Sequence, residues 1–437
     1  MASEGPGSLG YPRGLLFDRT EHYWVPFISD TSSNFVAVAT CTSYSAAGQA
    51  NGRIIALIGT HGDFWISLPN SLTEFEPVVI PGFRKDTQFV DVRAGEGHLI
   101  ALTAQGNLIS FGSNNCGQCG VKAGLHTKKA RGWAVLPHFS HPAGIVQSSL
   151  GHSKISSIHT QYYHCCVILE NGAVFVWGDN SSGQLGINKS SGKMPDVIEL
   201  TDKSLFPSAF NGEQIISFSG GWQHSLFLSK EGHVFVAGDN GAGQLGLSKT
   251  VQQLDSVCVP TLIPPAAFDN VPIVTIGTGG DHSAVITAKG DCYVWGYNDE
   301  NQLGFLKNPL THTQVKLTNC ITPIKLPRFS QDAEAYHDLA LAWKSTLLVT
   351  KSSRVYVCGE WFPVHHSSIT DDQKIDLIDR NSSFIEIRPG TQISPFVAPF
   401  LLKQKEREKR KEKGNTTPSG NIVRTIGSNF GLLIGFS

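Results

Sequence analysis

One arrangement of apolar, polar and glycine positions recurs four times between residues 96 and 304. In each copy a histidine precedes a glycine by eight residues, and a second glycine follows six residues later. These three positions are occupied, copy by copy, by His98, Gly106 and Gly112; His164, Gly172 and Gly178; His224, Gly232 and Gly238; and His282, Gly290 and Gly296. A constant register of turn residues indicates a repeat architecture.

The apolar positions within one copy predict four short strands. An apolar run such as 226–228 lies between the histidine and the first glycine, and an alternation such as 234–236 lies between the two glycines. A further run, 215–218, precedes the histidine, and another follows the closing Gln-Leu-Gly. Period-two alternation bounded by glycines is typical of strands and turns. Each unit is therefore predicted to form a small antiparallel sheet.

Weaker copies extend the pattern over most of the chain. The four clear copies end at Gly120, Gly186, Gly246 and Gly304, which leaves room for about seven units in 437 residues. Residues 351–359 match a half-unit with Ser345 in the histidine slot, residues 51–62 resemble a degenerate first unit, and residues 427–434 match the start of a unit. Residues 7–10 resemble the closing glycine motif, so we expect strands from the two ends to complete one shared sheet.

Four short strands cannot bury both of their faces, whereas units arranged radially cover one another. The pattern therefore predicts an all-β fold, a seven-bladed β-propeller whose ring is closed by N- and C-terminal strands. We expect residues 1–437 to form a single domain, with a charged insertion at about 403–420.

Composition narrows the class of protein. Charged residues make up 16%, glycine is abundant at 45 residues and the formal net charge is −1, which excludes a disordered or collagen-like chain and argues against a dominant nucleic-acid surface. Nine cysteines, mostly single, do not resemble a disulfide framework and indicate a reducing compartment. With no secretory or membrane-spanning stretch, we expect a cytoplasmic or nuclear location and no membrane partner.

The repeat His-Ser-x-x-Leu/Ile followed by Gly-x-Val-Phe/Tyr-x-Trp-Gly-x-Asn-x-x-Gly-Gln-Leu-Gly resembles that of the RCC1 family, the chromatin-bound Ran exchange factor and its relatives. The clear copies cover residues 96–304. The resemblance implies a propeller. It also implies several functions, because similar propellers act as exchange factors, as interaction domains of ubiquitin ligases and as a plant ultraviolet-B photoreceptor.

The repeated histidines are candidates for metal ligands, but copies about 60 residues apart place them on separate blades. We therefore interpret them as structural and expect each to tie down its own blade by hydrogen bonds to nearby backbone. The preceding position varies: Gly97, Tyr163, Gln223 and Asp281, then Lys344 and Asn429 in the weak copies. Such variation indicates exposure to solvent or to a partner.

The resemblance implies that acidic residues in this slot, with the histidines beside them, face the GTPase. Asp281 with His282 is the best match, followed by Gln223 with His224. Trp222 precedes Gln223, and we identify a tryptophan in that slot in one copy only. We interpret Trp222 either as an aromatic anchor on the same face or as packing. The predicted partner-binding residues are therefore Trp222, Gln223, His224, Asp281 and His282.

The leading hypothesis is a guanine-nucleotide exchange factor-like propeller that binds a small GTPase, with Ran as first candidate. The alternative is a non-catalytic protein-interaction module. An exchange factor breaks no covalent bond, so no catalytic nucleophile, metal or cofactor is expected. The family's exchange factor carries a hairpin, the β-wedge, that pushes into the GTPase. No segment here aligns with it, and the connections 187–211 and 248–270 are candidates by length alone.

Two further segments carry residue patterns that are candidates for function. Cys116 and Cys119 have the spacing of a metal or redox pair, but they lie where Ser182 and Leu185 lie in the next copy, so we interpret them as part of the repeat. Residues 403–413 hold seven basic and three acidic side chains. This segment is interpreted as a solvated loop, with a nuclear-import or phosphate-contacting patch as the alternative. The chain shows no basic N-terminal tail, so chromatin binding is not expected.

Overall fold

The computed structural model describes residues 14–18, 23–27, 35–44, 50–59, 61–67, 75–78, 84, 86–121, 134–139, 144–190, 192–206, 209–247, 255–304, 319–328, 334–352, 354–359 and 385–387. These residues form β-strands and three short 3-10 helices, Pro137–Phe139, Ala209–Gly212 and Pro265–Phe268, and within them there is no α-helix. No helix in this described part is long and apolar enough to cross a bilayer.

The strands form seven antiparallel sheets in chain order. Sheet 1 contains β1 (Gly14–Asp18) and β2 (Tyr23–Phe27). Sheet 2 contains β3 (Phe35–Tyr44), β4 (Ala50–Gly59), β5 (Phe64–Ser67) and β6 (Phe75–Pro77). Sheet 3 contains β7 (Phe89–Gly95), β8 (His98–Thr103), β9 (Leu108–Gly112) and β10 (Ala134–Val135).

Sheet 4 has five strands: β11 (Ile145–Ser148), β12 (Gly151–Gln161), β13 (His164–Leu169), β14 (Val174–Asn180) and β15 (Gly192–Glu199). Sheet 5 contains β16 (Ile215–Gly220), β17 (His224–Ser229), β18 (Val234–Asp239) and β19 (Ser256–Leu262). Sheet 6 contains β20 (Ile273–Thr278), β21 (His282–Thr287), β22 (Cys292–Tyr297) and β23 (Asn319–Lys325). Sheet 7 contains β24 (Tyr336–Ala342), β25 (Ser345–Thr350), β26 (Val355–Gly359) and β27 (Ile385–Ile387).

The predicted all-β propeller class and the four-stranded unit are confirmed. In sheet 5 the histidine opens the second strand and pairs with the second glycine on the third strand, His224 with Gly238. The same pairing joins His164 with Gly178 and His282 with Gly296, and the weak copy pairs Ser345 with Gly359. Equal register in successive sheets is what a repeat of fixed glycine spacing requires. The count of seven blades and the closure of the ring by both ends stay predictions, because residues 1–13 and 388–437 lie outside the described residues.

Among the described residues the core consists of five separate layers, each between two successive sheets from sheet 2 to sheet 7. Alternation along a strand sends neighbouring side chains to opposite layers: Leu226 packs towards sheet 6 and Phe227 towards sheet 4. Two large indoles, Trp177 and Trp295, are fully buried. Each donates Nε1–H across an interface between sheets, to the carbonyls of Gln118 and Gln244 at 3.0 and 2.8 Å respectively.

When strands are counted from the one that precedes the histidine position, so that β11 of sheet 4 is an extra strand, the first strands of five sheets surround one cavity of about 270 Å³. Its wall is formed by Arg93 of β7, residues 159–161 of β12, residues 217–219 of β16, residues 274–278 of β20 and residues 337–341 of β24. Convergence of first strands on one space is the radial arrangement of a propeller. The loops between first and second strands therefore meet at one end of this cavity.

Candidate partner-binding face

We call the end of the fold that carries the loops between first and second strands the histidine face, and the opposite end, with the turns between second and third strands, the turn face. The variable residue before each histidine lies on the histidine face, on a backbone held in the same way in four sheets. The amide of the residue after the second glycine donates to its carbonyl, at 2.7 to 2.8 Å. These donor and acceptor pairs are Ser113 to Gly97, Asp179 to Tyr163, Asp239 to Gln223, and Tyr297 to Asp281.

The histidines beneath these loops are buried, with 0% of each residue exposed. His98 Nδ1 makes the expected contact with backbone of its own blade, 3.4 Å from the Glu96 carbonyl oxygen, whereas the hydrogen bonds of the other three histidines differ from that expectation. His224 Nε2 lies 2.9 Å from the hydroxyl of Ser283, which belongs to the next sheet, and Ser283 Oγ donates to the carbonyl of Gln244 at 2.9 Å. Because that serine has one proton and gives it to the carbonyl, His224 must be the donor through Nε2–H.

The same series of hydrogen bonds, from histidine to hydroxyl to carbonyl, recurs at two other interfaces between sheets. His164 Nε2 and Ser225 Oγ are 3.0 Å apart, and Ser225 donates to the carbonyl of Gln184 at 2.7 Å. His282 Nε2 and Thr346 Oγ1 are 3.0 Å apart, and Thr346 donates to the carbonyl of Gln302 at 2.7 Å. Each histidine thus fastens its own sheet to the next one.

Burial lowers the pKa of each of these imidazoles: to about 4 for His98 and to about 3 for His164, His224 and His282. Desolvation penalises the charged form, and the donor chain described above requires only a neutral ring. The ring of His224 also packs closely on backbone, since a Cβ added to Gly221 would lie 2.1 Å from its Cε1. His224 and His282 therefore have no surface for a partner to touch and act on the face by holding its loops.

The other predicted residues are accessible on this face. Trp222 is 39% exposed and is the one large exposed hydrophobic side chain that the described residues place there. Gln223 and Asp281 are partly exposed. Burial, together with the carboxylate of Asp239 on the neighbouring sheet, raises the pKa of Asp281 to about 6. Trp222, Gln223 and Asp281 thus lie on adjacent loops of the histidine face.

Two further aromatic residues, Tyr162 and Trp343, occupy the slot of Trp222 in their own repeats and were not predicted from the sequence. Trp343 lies in the same slot of the weak copy, so the identification of a tryptophan in one copy only was wrong. The ring centroids of Trp222 and Trp343 are 5.0 Å apart, and Tyr162 lies 5.5 Å from Trp343. The signal was present in the sequence, because the repeat places Ser345 and Lys344 in register and Trp343 directly precedes them. Trp222 is therefore packed against Trp343 and also partly exposed, and its role as an aromatic anchor for a partner stays a prediction.

The two long connections considered for a wedge contain fourth strands of their sheets, β15 and β19. An additional hairpin occurs instead at β11 and β12, where Ile145 pairs with Lys154 and Ser148 with Gly151. It begins sheet 4 at the turn face, because β12 reaches the histidine face only at Gln161. Its turn is held by Glu199, whose carboxylate accepts from the amide of Ser149 at 2.9 Å.

The cysteine pair follows the repeat, as expected. The amide of Cys119 donates to Asn114 Oδ1 at 2.9 Å, just as that of Leu185 donates to Asn180 Oδ1 at 3.0 Å. Burial raises the pKa of Cys119 to about 12. All eight cysteines whose side chains the structure describes are free thiols, and the described residues contain no cluster of metal-ligand type. Residues 403–413 lie outside the described residues.

Comparison with known proteins agrees with this architecture. The family model of the RCC1-like domain matches residues 7–324. The human probable E3 ubiquitin-protein ligase HERC6 is 25% identical over 76% of this chain and 30% of its own, and the Arabidopsis thaliana ultraviolet-B receptor UVR8 is 25% identical over 74% of this chain and 64% of its own. The chain thus spans less than two thirds of the length of these relatives.

Two solved structures share the fold. Human WBSCR16 superposes with a TM-score of 0.58 and 18% identity, covering 77% of this chain and 79% of its own. Prp20p from Saccharomyces cerevisiae superposes with a TM-score of 0.51 and 17% identity, covering 70% and 66%. With the repeat, the sheet register and the radial core, the family match over most of the chain establishes that this protein belongs to the RCC1-like domain family.

Proposed function

We propose that this propeller is a protein-binding module whose histidine face receives a small GTPase, with Ran as first candidate, and promotes nucleotide release. Trp222, Gln223 and Asp281 are the proposed contact residues, and His224 and His282 are proposed as positioning residues. The observation that carries the proposal is the combination of variable, accessible side chains with loops that the same backbone hydrogen bond anchors in four sheets. Such an arrangement supports recognition on a rigid scaffold.

Two similarities support a GTPase as the partner. The solved structure of Prp20p was described together with its binding to Gsp1p and histones. The Ran exchange factor of the family has acidic residues in the slot that Asp281 occupies here. Exchange needs no covalent chemistry, because a protein that binds the nucleotide-free GTPase better than the loaded one lowers the affinity for nucleotide.

The second candidate function is binding without exchange. The extra hairpin in the described part of the chain lies at the turn face and is bonded to Glu199, so it is remote from the proposed contact residues. A propeller without a wedge on its binding face would dock on a partner without displacing nucleotide. Interaction domains of this kind fit the similarity to HERC6, described as a probable ubiquitin ligase.

The experiment that tests the proposal is release of fluorescent GDP from Ran and from a panel of other small GTPases, with wild-type protein and with Asp281→Ala. Faster release from Ran alone, weakened by Asp281→Ala, supports exchange at this face. Faster release from another GTPase keeps the mechanism and changes the partner. Binding without faster release from any GTPase selects the non-catalytic module, and absence of both binding and release rejects a GTPase partner for the panel.

A further inference from the structure

Three aromatic side chains from three different sheets meet on the histidine face, and we call Tyr162, Trp222 and Trp343 the aromatic cluster. Each lies two residues before the histidine position of its sheet. Trp343 is central: its ring centroid lies 5.0 Å from that of Trp222 at an interplanar angle of 51°, and 5.5 Å from that of Tyr162 at 62°. Tyr162 is buried, Trp343 is partly exposed and Trp222 presents its ring to solvent.

The two tryptophans meet although sheet 6 lies between their sheets. The same slot of sheet 6 is occupied by Gly280, which leaves room above it. The Trp222 amide donates to the Gly280 carbonyl at 2.9 Å, and the Gly280 amide donates to the Trp343 carbonyl at 3.0 Å. A Cβ at this position would lie 2.9 Å from the Trp343 carbonyl oxygen and 3.3 Å from its indole. Backbone bonds therefore hold both indoles in place before any partner arrives.

Polar side chains bridge the sheets at the adjacent end of the cavity. Thr278 Oγ1 donates to Gln161 Oε1 at 2.9 Å, and Ser219 Oγ lies 2.8 Å from Thr278 Oγ1. These three residues belong to sheets 4, 5 and 6 and also line the cavity wall. Each of the three is one of the last two residues of the strand before a loop of the histidine face, and no member of the aromatic cluster lines the cavity.

Carboxyl groups flank the aromatic cluster. Asp281 follows Gly280 directly and lies close enough to Asp239 for the two charges to interact. Glu96 holds the same slot in sheet 3, and its amide donates to the Tyr162 carbonyl at 2.6 Å. Lys344, the residue after Trp343, is bound by Glu300 at 3.3 Å. Acidic residues thus lie in loops that are hydrogen-bonded to those of the aromatic rings, whose own quadrupoles attract cations.

We propose that the aromatic cluster is a binding site for a single cationic side chain, a lysine, an arginine or an alkylated ammonium, presented by a basic segment of the partner. The cation stacks on the exposed face of Trp222, within about 6 Å of the ring centroid, and Asp281 supplies the neighbouring negative charge. This inference rests on the proposed function for the identity of the face and adds the chemistry that the partner must present there.

The test uses choline and its uncharged carbon isostere, 3,3-dimethylbutan-1-ol, as probes of the whole protein. Titration is followed by the indole ¹H–¹⁵N signals, with that of Trp222 assigned from Trp222→Phe. Choline is expected to shift this signal with a millimolar Kd and the isostere to bind at least tenfold more weakly. Equal affinity for the two probes, or no shift with choline up to 100 mM, would overturn the proposal without requiring any variant.

Variants locate the site. Trp222→Ala is expected to abolish choline shifts of the remaining cluster indole, and Asp281→Asn to weaken binding about threefold to tenfold. Ile216→Ala, on the same sheet but exposed at the turn face, is the matched control and is expected to leave choline binding unchanged. Choline binding that survives Trp222→Ala in a correctly folded protein would contradict the assignment.

The assay contains no GTPase, so it separates the two proposals. If choline binds as expected but no GTPase does, the cation site stands and the partner belongs to another class. If a GTPase binds the histidine face but choline does not shift Trp222, the proposed function stands and the cation site is rejected.

Discussion

His224 of sheet 5 and Ser283 of sheet 6 are joined by a hydrogen bond of 2.9 Å between Nε2 and Oγ, with neither residue exposed to solvent. Ser283 Oγ in turn donates a hydrogen bond to the Gln244 carbonyl. One hydroxyl thereby satisfies two polar groups of the preceding sheet, at a place where water has no access. The relationship links the binding loops to the interface between sheets.

Removing this hydroxyl is expected to destabilise the protein. Ser283→Ala leaves the His224 Nε2–H and one bond of the Gln244 carbonyl without a partner in the core, which costs about 1–3 kcal/mol. Ser283→Thr is the matched control, because Thr346 fills the equivalent position in sheet 7. Urea unfolding at pH 7.5 measures both. A loss below about 0.3 kcal/mol for Ser283→Ala would show that the chain of bonds is not stabilising.

The buried histidines predict loss of stability in mild acid. Their folded pKa values, about 3 to 4, lie below the usual 6.5, so the unfolded chain binds more protons as the pH falls from 6.5 towards 3. The free energy of unfolding must then decrease with pH, by about 2 kcal/mol per histidine at pH 5. Urea midpoints measured from pH 8 to pH 4.5 test this. A midpoint that stays constant or rises on acidification would contradict neutral buried rings.

Asp281 is expected to change the pH dependence of the free energy of unfolding in the opposite direction from the histidines. Its folded pKa of about 6 lies above the usual 3.8, because burial and Asp239 disfavour the carboxylate, so its charge destabilises the fold above pH 6. Asp281→Asn is expected to raise the free energy of unfolding at pH 7.5 by up to about 3 kcal/mol and to have no effect below pH 4.

The control for this prediction is Asp86→Asn. Asp86 forms an exposed ion pair with Arg84, so its removal is expected to change stability by less than about 1 kcal/mol at either pH. If Asp281→Asn stabilises the protein at pH 7.5 and weakens partner binding, the carboxylate is kept for recognition at the expense of stability. Destabilisation by Asp281→Asn at pH 7.5 would refute the assigned environment.

Substitution of Gly280 by alanine is expected to disturb the aromatic cluster locally. Gly280→Ala places a methyl group 2.9 Å from the Trp343 carbonyl oxygen, which must displace the loop. The contact between the Trp222 and Trp343 rings is expected to loosen, with a shift of both indole signals and partner affinity lowered about tenfold. Gly241→Ala is the control, since its nearest new contact is 3.6 Å away, at the Asp239 carboxylate. Unshifted indole signals in Gly280→Ala would contradict the described packing.

The repeat predicted most of the fold because glycine spacing determines strand length and register locally. It did not predict the hairpin Ile145–Lys154, which lies outside the repeat. The structural role of the histidines followed from their regular recurrence, but their partners did not, since Ser225 and Ser283 become neighbours of the preceding histidines only when sheets pack. Tyr162 and Trp343 are 181 residues apart in the chain, and their contact depends on the radial arrangement of whole sheets.

The most direct test of the central claim is the affinity of nucleotide-free Ran for variants of the two faces, measured by calorimetry or biolayer interferometry. Trp222→Ala and Asp281→Ala alter the histidine face, and Ile216→Ala and Val274→Ala alter exposed side chains of the turn face. The account predicts at least a tenfold loss of affinity for the first pair and less than a twofold change for the second. The reverse result, with binding lost through the turn-face variants and unaffected by Trp222→Ala and Asp281→Ala, would contradict it.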